Sequence, residues 1–473
     1  MFHINFKTDL LYYILLLTGI SSTIYVGTAM YSSIAVPLFI LPLSFSICLV
    51  LFKRIIPYHE NGYGLKVLYS VIVVRYLILP TLTCLTKSFD KLTIYSNEAY
   101  DYGVLMQVIE LITTCIIIYV YFPKTYTSCR IKYFKKGESI NYDELSLGGI
   151  IVVLFSLLLI YSRGLDTLLS SLRFFVVSSG LEEESMYGYD IWLAHTLLAF
   201  LMIVIAGTFQ KREDKKPQAI NIIVPLVVAF FSCSLSFGDN RMTTVYYAVS
   251  AYAVLMIAFP RRKVAVKGTI IPVAIIVLAS FTMIKQFGYD VTAGGDTGLN
   301  DDDIVTTASA YVSTTQNIAK AYDMYSLNGD KMTVNNIISD VTNGIVIFQL
   351  PGFQQLTAPL RKNPTSISLA STGLEVVPMA GQSLFYGSHL LGWLVDILFF
   401  VVLIRLLIWT DCRSKFERRL GNKYLLTWIS VTFGMAMTYN MSIIWNSLNA
   451  TPLFTLGALW VNRAISLHKH KIR

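Results

Sequence analysis

The sequence predicts an all-α polytopic membrane protein, with about twelve transmembrane helices and one large external loop between spans 9 and 10. Three observations lead there. Apolar windows of about 18 or more residues, poor in charge, recur along most of the 473 positions. Hydrophobic residues make up 54% of the chain and the mean hydropathy is +0.58. Basic residues, finally, gather in every second loop, the signature that orients helices across a bilayer.

Taken in order, the expected spans lie near 9–26, 34–52, 65–86, 102–122, 147–162, 191–208, 219–236, 243–259, 268–284, 388–408, 423–439 and 451–464. The chain then divides into 1–284 with spans 1–9, 285–389 as the large loop, and 390–473 with spans 10–12 and a tail. The first apolar run, Leu10 to Val26, is longer than a signal-peptide core and has no convincing cleavage site behind it, so it reads as the first span. Lys53 and Arg54, the group from Lys124 to Lys136, Lys211 to Lys216, Arg261 to Lys267, Arg413 to Arg419 and Lys469 to Arg473 mark alternate loops as cytoplasmic. Both termini are then inside.

Charge and cysteine usage exclude several classes. A net charge of +9 in a soluble domain would suggest nucleic acid, but here it is distributed by topology, and no nucleic-acid partner is expected. The six cysteines are scattered without a CxxC, which implies neither a disulfide framework nor a zinc site, and neither metal nor cofactor is expected.

The external loops are predominantly acidic, with Glu182, Glu183, Glu184, Asp290 and Asp301 to Asp303 among them. Arg163, Arg173, Arg241 and Arg361 stand out because they occupy the side on which basic residues are disfavoured. A planar guanidinium stays charged and grips phosphate oxygens two at a time, so these four are the candidate ligands for a pyrophosphate at headgroup level. Asp239, beside Arg241 in the turn Phe237 to Arg241, would orient that arginine or neutralise it.

Leu165, Leu168, Leu169 and Leu172 follow helical spacing, so Gly164 to Val177 is expected to lie along the outer membrane face. In the large loop, Asp303 is expected to cap a helix running to about Tyr325. Thr333 would cap another, with Val334, Ile337, Ile338, Val341 and Ile345 on one apolar face that needs the membrane surface or a helix against it. Within the spans, Arg75 and Glu110 fall at comparable depth in antiparallel neighbours and are expected to pair. Asp396 has no evident partner. His389 closes the large loop, where an imidazole suits the removal of a proton from an attacking sugar hydroxyl.

About twelve spans with both termini inside, the loop between spans 9 and 10, the external arginines and the glycine-spaced stretch from Gly381 to His389 together resemble the O-antigen polymerase (Wzy) type of oligosaccharide repeat-unit polymerase. The resemblance implies metal-independent, inverting glycosyl transfer at the outer face of the bacterial inner membrane. Undecaprenyl-pyrophosphate-linked oligosaccharide would be the substrate, in contact with membrane lipid, and a chain-length regulator is a partner left open. It also implies that Arg163, Arg173, Arg241 and Arg361 hold the donor pyrophosphate, with His389 or Glu375 as catalytic base. The alternatives are an O-antigen ligase, which transfers finished glycan to another acceptor, and a lipid-linked oligosaccharide flippase, a transporter expected to show charged or broken helices along a central path.

Overall fold

A computed structural model describes residues 6–30, 37–52, 62–86, 96–136, 143–161, 189–234, 241–292, 305, 312–328, 333–345, 347 and 377–471. Among them every long element is a helix. In chain order these are α1 (Phe6–Met30), α2 (Ile40–Leu51), α3 (Tyr63–Val73), α4 (Leu79–Leu85), α5 (Asn97–Lys136), α6 (Leu147–Tyr161), α7 (Tyr189–Lys215), α8 (Ala219–Ser234) and α9 (Arg241–Ala258). They continue as α10 (Lys263–Thr292), α11 (Thr315–Asn328), α12 (Asn335–Gly344), α13 (Met379–Gln382), α14 (His389–Phe416), α15 (Leu420–Gly434), α16 (Met441–Asn449) and α17 (Thr451–Lys471).

Among the described residues five stretches are long and apolar enough to cross a membrane: Leu10–Ala29, Tyr63–Leu85, Asn97–Lys132, Leu193–Lys215 and His389–Phe416. Shorter apolar helices occupy Ile40–Leu51, Leu147–Leu159, Ala219–Cys233 and Thr244–Ala258. Their outward surface is apolar too: Leu17, Ile24, Leu154, Leu158, Leu394 and Leu398 are all exposed. The interior, by contrast, buries Arg75, Gln107, Glu110, Asp340, Gln382 and Asp396. Polar groups inside and hydrocarbon outside suit lipid as the surrounding solvent.

The chain forms two compact units. The first is Met1–Cys129, Leu299–Cys412 and Ser430–Asn446; the second is Arg130–Gly298, Arg413–Ile429 and Ser447–Arg473. In the second unit α6 packs on α17 because Gly148 and Gly149 carry no side chain to hold it off the Val461 carbonyl and the Asn462 side chain. Asn462 accepts from Ser146 N at 3.0 Å, and Asp143 takes two bonds from Arg463, at 2.8 and 3.1 Å, and one from Gly421 N at 2.8 Å. The paired guanidinium–carboxylate contact and the backbone donor satisfy the Asp143 carboxylate where its helix begins.

In the first unit α3 and α4 form one rod with a widened π turn at Val74–Ile78. Pro80 explains it: proline has no N–H, and its ring crowds the carbonyl four residues back, so the preceding turn opens. Arg75 sits in the widened turn. At the start of this rod Asp411 accepts from Gly62 N at 2.7 Å and Gly64 N at 2.8 Å, supplying the cap that the local sequence lacks.

Several expectations require correction. The span expected at 423–439 is not one helix: α15 stops at Gly434, residues 435–440 leave the helix, and α16 occupies most of the stretch expected as a 440–450 loop. α5 runs through Pro123 for 40 residues, well past the expected 102–122. Thr333 does not cap α12; Val334 precedes it with no side-chain cap bond. The polar insertion is not uniformly wet either, since the first turns of α11, α13 and the turn Ser383–Tyr386 are buried. Gly387, at φ +134°, turns this segment into α14, in a region that only glycine enters without strain. The helix expected over Gly164 to Val177, and Asp303, lie outside the described residues.

Gly64 is where α3 meets α15, and a Cβ there would run into the Ser430 carbonyl and the Leu407 side chain. At Gly268, in α10, a Cβ would meet nothing within 4 Å. Gly64→Ala is expected to destabilise by about 1–3 kcal/mol through overpacking. Gly268→Ala is expected to gain about 0.5–1 kcal/mol from helix propensity. Thermal unfolding of the two variants in the same detergent should therefore shift in opposite directions.

Candidate active site

The described site lies in the first unit and has a buried floor and an exposed rim. The floor begins at Arg75, 1% exposed, whose Nη1 donates to Glu110 Oε2 at 2.7 Å and to the Met437 carbonyl at 2.6 Å. The Gln107 amide is assigned with its oxygen toward Arg75 Nε at 3.2 Å and Thr315 N at 2.9 Å, the orientation that satisfies its neighbours. The guanidinium thus ties the π turn of the α3–α4 rod to α5 and to the break that follows α15. The Arg75–Glu110 pairing matches the expectation drawn from their depth.

The break needs such ties because peptide groups outside a helix must find partners when they are buried. Ser313 Oγ donates to the Thr438 carbonyl at 2.8 Å and Met379 N to the Tyr439 carbonyl at 3.2 Å. Met441 N donates to Gln382 Oε1 at 2.8 Å, and Gln382 Nε2 in turn donates to Asp340 Oδ2 at 2.9 Å. Tyr386 Oη reaches the same oxygen at 3.0 Å, and Ser442 Oγ donates to the Asp340 carbonyl at 2.8 Å. Burial, and then the neighbouring Asp340 carboxylate, push the Tyr386 phenol well above its ordinary range, so it stays protonated and serves as the donor. Asp340 is fully buried and joins α12 to the Met379–Tyr386 segment and to α16.

The rim is aromatic. His389 is exposed at the start of α14, with ring centroids 4.6 Å from Tyr325, 5.6 Å from Tyr322 and 6.1 Å from Tyr102. Tyr102 also packs against Trp393 at 6.5 Å and Tyr322 at 5.0 Å. Tyr102 belongs to an apolar cluster with Met106, Ile318, Leu384 and Phe385, which fixes α5 and α11 under the imidazole. His389, Trp393 and Asp396 follow i, i+4, i+7 spacing and so share one stripe of α14. Asp396, buried, is close enough to feel the charges of both Glu110 and Arg75, and its Oδ1 has no hydrogen bond among the described residues.

Of the residues the sequence nominated, His389 is the one whose side chain the structure describes. Arg241 opens α9 in the second unit, with its backbone alone described. Arg163, Arg173, Arg361 and Glu375 lie outside the described residues, as does Asp239. The described side chains therefore bring no two of the nominated residues together. Sequence reasoning missed Gln107, Asp340, Gln382 and Tyr386, and also the tyrosines around His389. A signal existed for three of these: Asp340 carries the charge in the otherwise uncharged helix NNIISDVTNG, and Tyr322 and Tyr325 stand three residues apart on α11. Among the described residues no three His, Cys, Asp or Glu side chains gather as a metal site. Comparisons with protein-family models, curated proteins and solved structures gave no match for this chain.

Arg75 is the positive charge bonded to Glu110, so its loss leaves a buried carboxylate without its partner. Arg75→Met is expected to cost about 3–5 kcal/mol, as removal of one partner from a buried ion pair does. Glu110→Gln keeps an acceptor for the guanidinium and should cost clearly less. Thermal unfolding of purified protein checks the order; a Glu110→Gln protein less stable than Arg75→Met would contradict this account of the centre.

Proposed function

We propose that this chain is an O-antigen polymerase (Wzy)-like enzyme. It would join undecaprenyl-pyrophosphate-linked oligosaccharide repeat units into O-antigen or another surface polysaccharide at the outer face of the bacterial inner membrane. The observation that carries the reading is an exposed imidazole, His389, set among Tyr102, Tyr322 and Tyr325 where the large insertion meets an apolar helix. The apolar faces of a sugar ring pack against aromatic rings, and an imidazole is suited to proton transfer near neutral pH. A headgroup-level aromatic belt would place aromatics at this height as well, but not around an exposed histidine.

In the proposed reaction the acceptor hydroxyl of one lipid-linked unit attacks the anomeric carbon of the other. The new glycosidic bond forms as the bond to pyrophosphate breaks, and His389 takes the hydroxyl proton; Glu375 is the alternative base. Arg163, Arg173, Arg241 and Arg361 would offset the charge that develops on the leaving pyrophosphate, an effect largest in the transition state. The accompanying topology is about twelve spans, with both termini cytoplasmic and the 285–389 insertion outside.

The second reading is a lipid-linked oligosaccharide flippase. Its specific support is the helix break after Gly434, whose Met437 carbonyl accepts from the buried Arg75 of the Arg75–Glu110 pair, because discontinuous helices with internal charge are characteristic of transporters. An O-antigen ligase shares the external loop and the histidine and ranks after the polymerase for want of a distinct acceptor feature.

Deletion of the gene in its host, with surface glycan resolved on a gel, separates the readings. Glycan limited to one repeat supports polymerisation, lipid-linked repeats stranded on the inner leaflet support the flippase, and repeats complete but untransferred on the outer leaflet support the ligase. Under the polymerase reading His389→Ala should lower the rate by about 10²–10⁴-fold at unchanged protein level, the range for loss of a general base. Arg241→Ala should shorten or abolish the ladder. Full ladders from both variants would remove the assigned roles.

A further inference from the structure

The helix α12 has its polarity reversed relative to the water-facing loop in which the sequence places it. Asn336, Ser339, Asp340 and Thr342 are buried. Val334 and Ile338, by contrast, are 56% and 50% exposed, with Ile337, Val341 and Ile345 part-exposed beside them. Residues 334, 338, 341 and 345 make one stripe along the helix. The burial of the opposite face is specific: Asn336 Nδ2 donates to the Phe385 carbonyl at 2.8 Å, Asp340 receives Gln382 and Tyr386, and the Asp340 carbonyl receives Ser442. Gly344 brings the end of α12 against Ser442 and Trp445 of α16, at distances no larger residue would fit. The helix cannot roll over to hide its isoleucines without losing every one of these bonds.

We infer that α12 is a re-entrant half-helix seated in the hydrocarbon of the bilayer, with the acyl chains of lipid covering its Val334–Ile338–Val341–Ile345 stripe. Ten residues rise about 15 Å, roughly half of a bilayer's apolar thickness, so α12 enters without crossing. Backbone of this kind is tolerated at depth where its polar groups are buried in protein, which is how Asp340, Gln382 and Ser442 serve it. The turn Ser383–Tyr386, against which α12 packs, leads through Gly387 into α14, whose outward face carries Leu390, Leu394 and Leu398 at 69%, 58% and 64% exposure. No charged side chain stands on the outward stripe of α12, so lipid is the occupant that suits both surfaces. The inference rests on the membrane reading of the chain and moves part of the large insertion out of water.

The test is nitroxide accessibility in phospholipid nanodiscs. Five of the six cysteines are buried, so a Cys129→Ser background lets a label report from Ile338→Cys or Val334→Cys, with Leu394→Cys as the lipid control and Lys211→Cys as the aqueous one. Labels at 338 and 334 should collide with oxygen as the label at 394 does, and be shielded from a water-soluble nickel chelate at least several-fold more than the label at 211. Nickel access at 338 equal to that at 211 would overturn the inference and return α12 to an aqueous loop. Shielding from both reagents would overturn it in favour of a protein cover, such as a second copy. If the label at 394 is itself open to nickel, the membrane reading fails; if 394 is shielded and 338 is not, α12 alone is wrongly placed.

Discussion

A guanidinium held where water does not reach constrains most of what surrounds it in the first unit. Arg75 is buried, always charged and placed in a turn that Pro80 forces open, so its position along the helix is set by the backbone. It must therefore draw acceptors to itself. Glu110 and Gln107 come from α5, and the third acceptor is the Met437 carbonyl, which is free because α15 has already ended. The broken helix and the buried arginine explain one another: the break supplies an acceptor, and the arginine supplies a donor to a carbonyl that would otherwise be stranded. The carbonyl end of a helix also carries partial negative charge, which favours a cation placed just beyond α15.

The same logic orders the polar residues that line the rest of the break. Ser313, Met379 and Gln382 each satisfy one peptide group between Thr438 and Met441, and Gln382 passes the network on to Asp340 and Tyr386. Each member has both a role and a partner, which is the condition under which a buried polar network defines one arrangement rather than several. Its rigidity positions the rim, since the segment from Met379 to Tyr386 ends two residues before Ser388 and His389. The aromatic cluster around the imidazole is thus anchored from below by hydrogen bonds and from the side by Tyr102 on α5.

Much of this was legible in the sequence, and the limits have physical causes. Long apolar runs identify helices whatever surrounds them, so helices stand at most of the expected spans, five of them among the described residues long and apolar enough to cross a membrane. Arg75 and Glu110 could be paired because two charges at equal depth in neighbouring helices have few other options. The break after Gly434 left no such mark: Met435 to Met437 reads as apolar as a span, and the carbonyls beyond Gly434 are met by distant donors. The stripe Val334 to Ile345 was legible as a stripe, yet periodicity does not say which medium covers it. Its polar opposite face, where Asp340 finds Gln382 and Tyr386 forty or more positions along, decides which side of the helix is buried. His389 was nominated from its place at the end of the loop, while the rings around it come from α5, α11 and α14, which no local pattern connects.

These contacts also bear on where an anionic substrate would be held. Arg75 Nη1 is shared by Glu110 and the Met437 carbonyl, its Nε faces Gln107, and Asp396 lies within reach of its charge. A pyrophosphate seeking this guanidinium would have to displace a carboxylate and a peptide oxygen and leave both unsatisfied in a medium of low dielectric. The buried arginine is accordingly a structural cation, and under the proposed function phosphate recognition falls to the four arginines nominated from the sequence. The same separation argues for chemistry at the rim. His389 is exposed, ringed by aromatic surfaces and bonded to none of the buried ionisable groups among the described residues, so under the proposed function a hydroxyl would approach it without disturbing the network below.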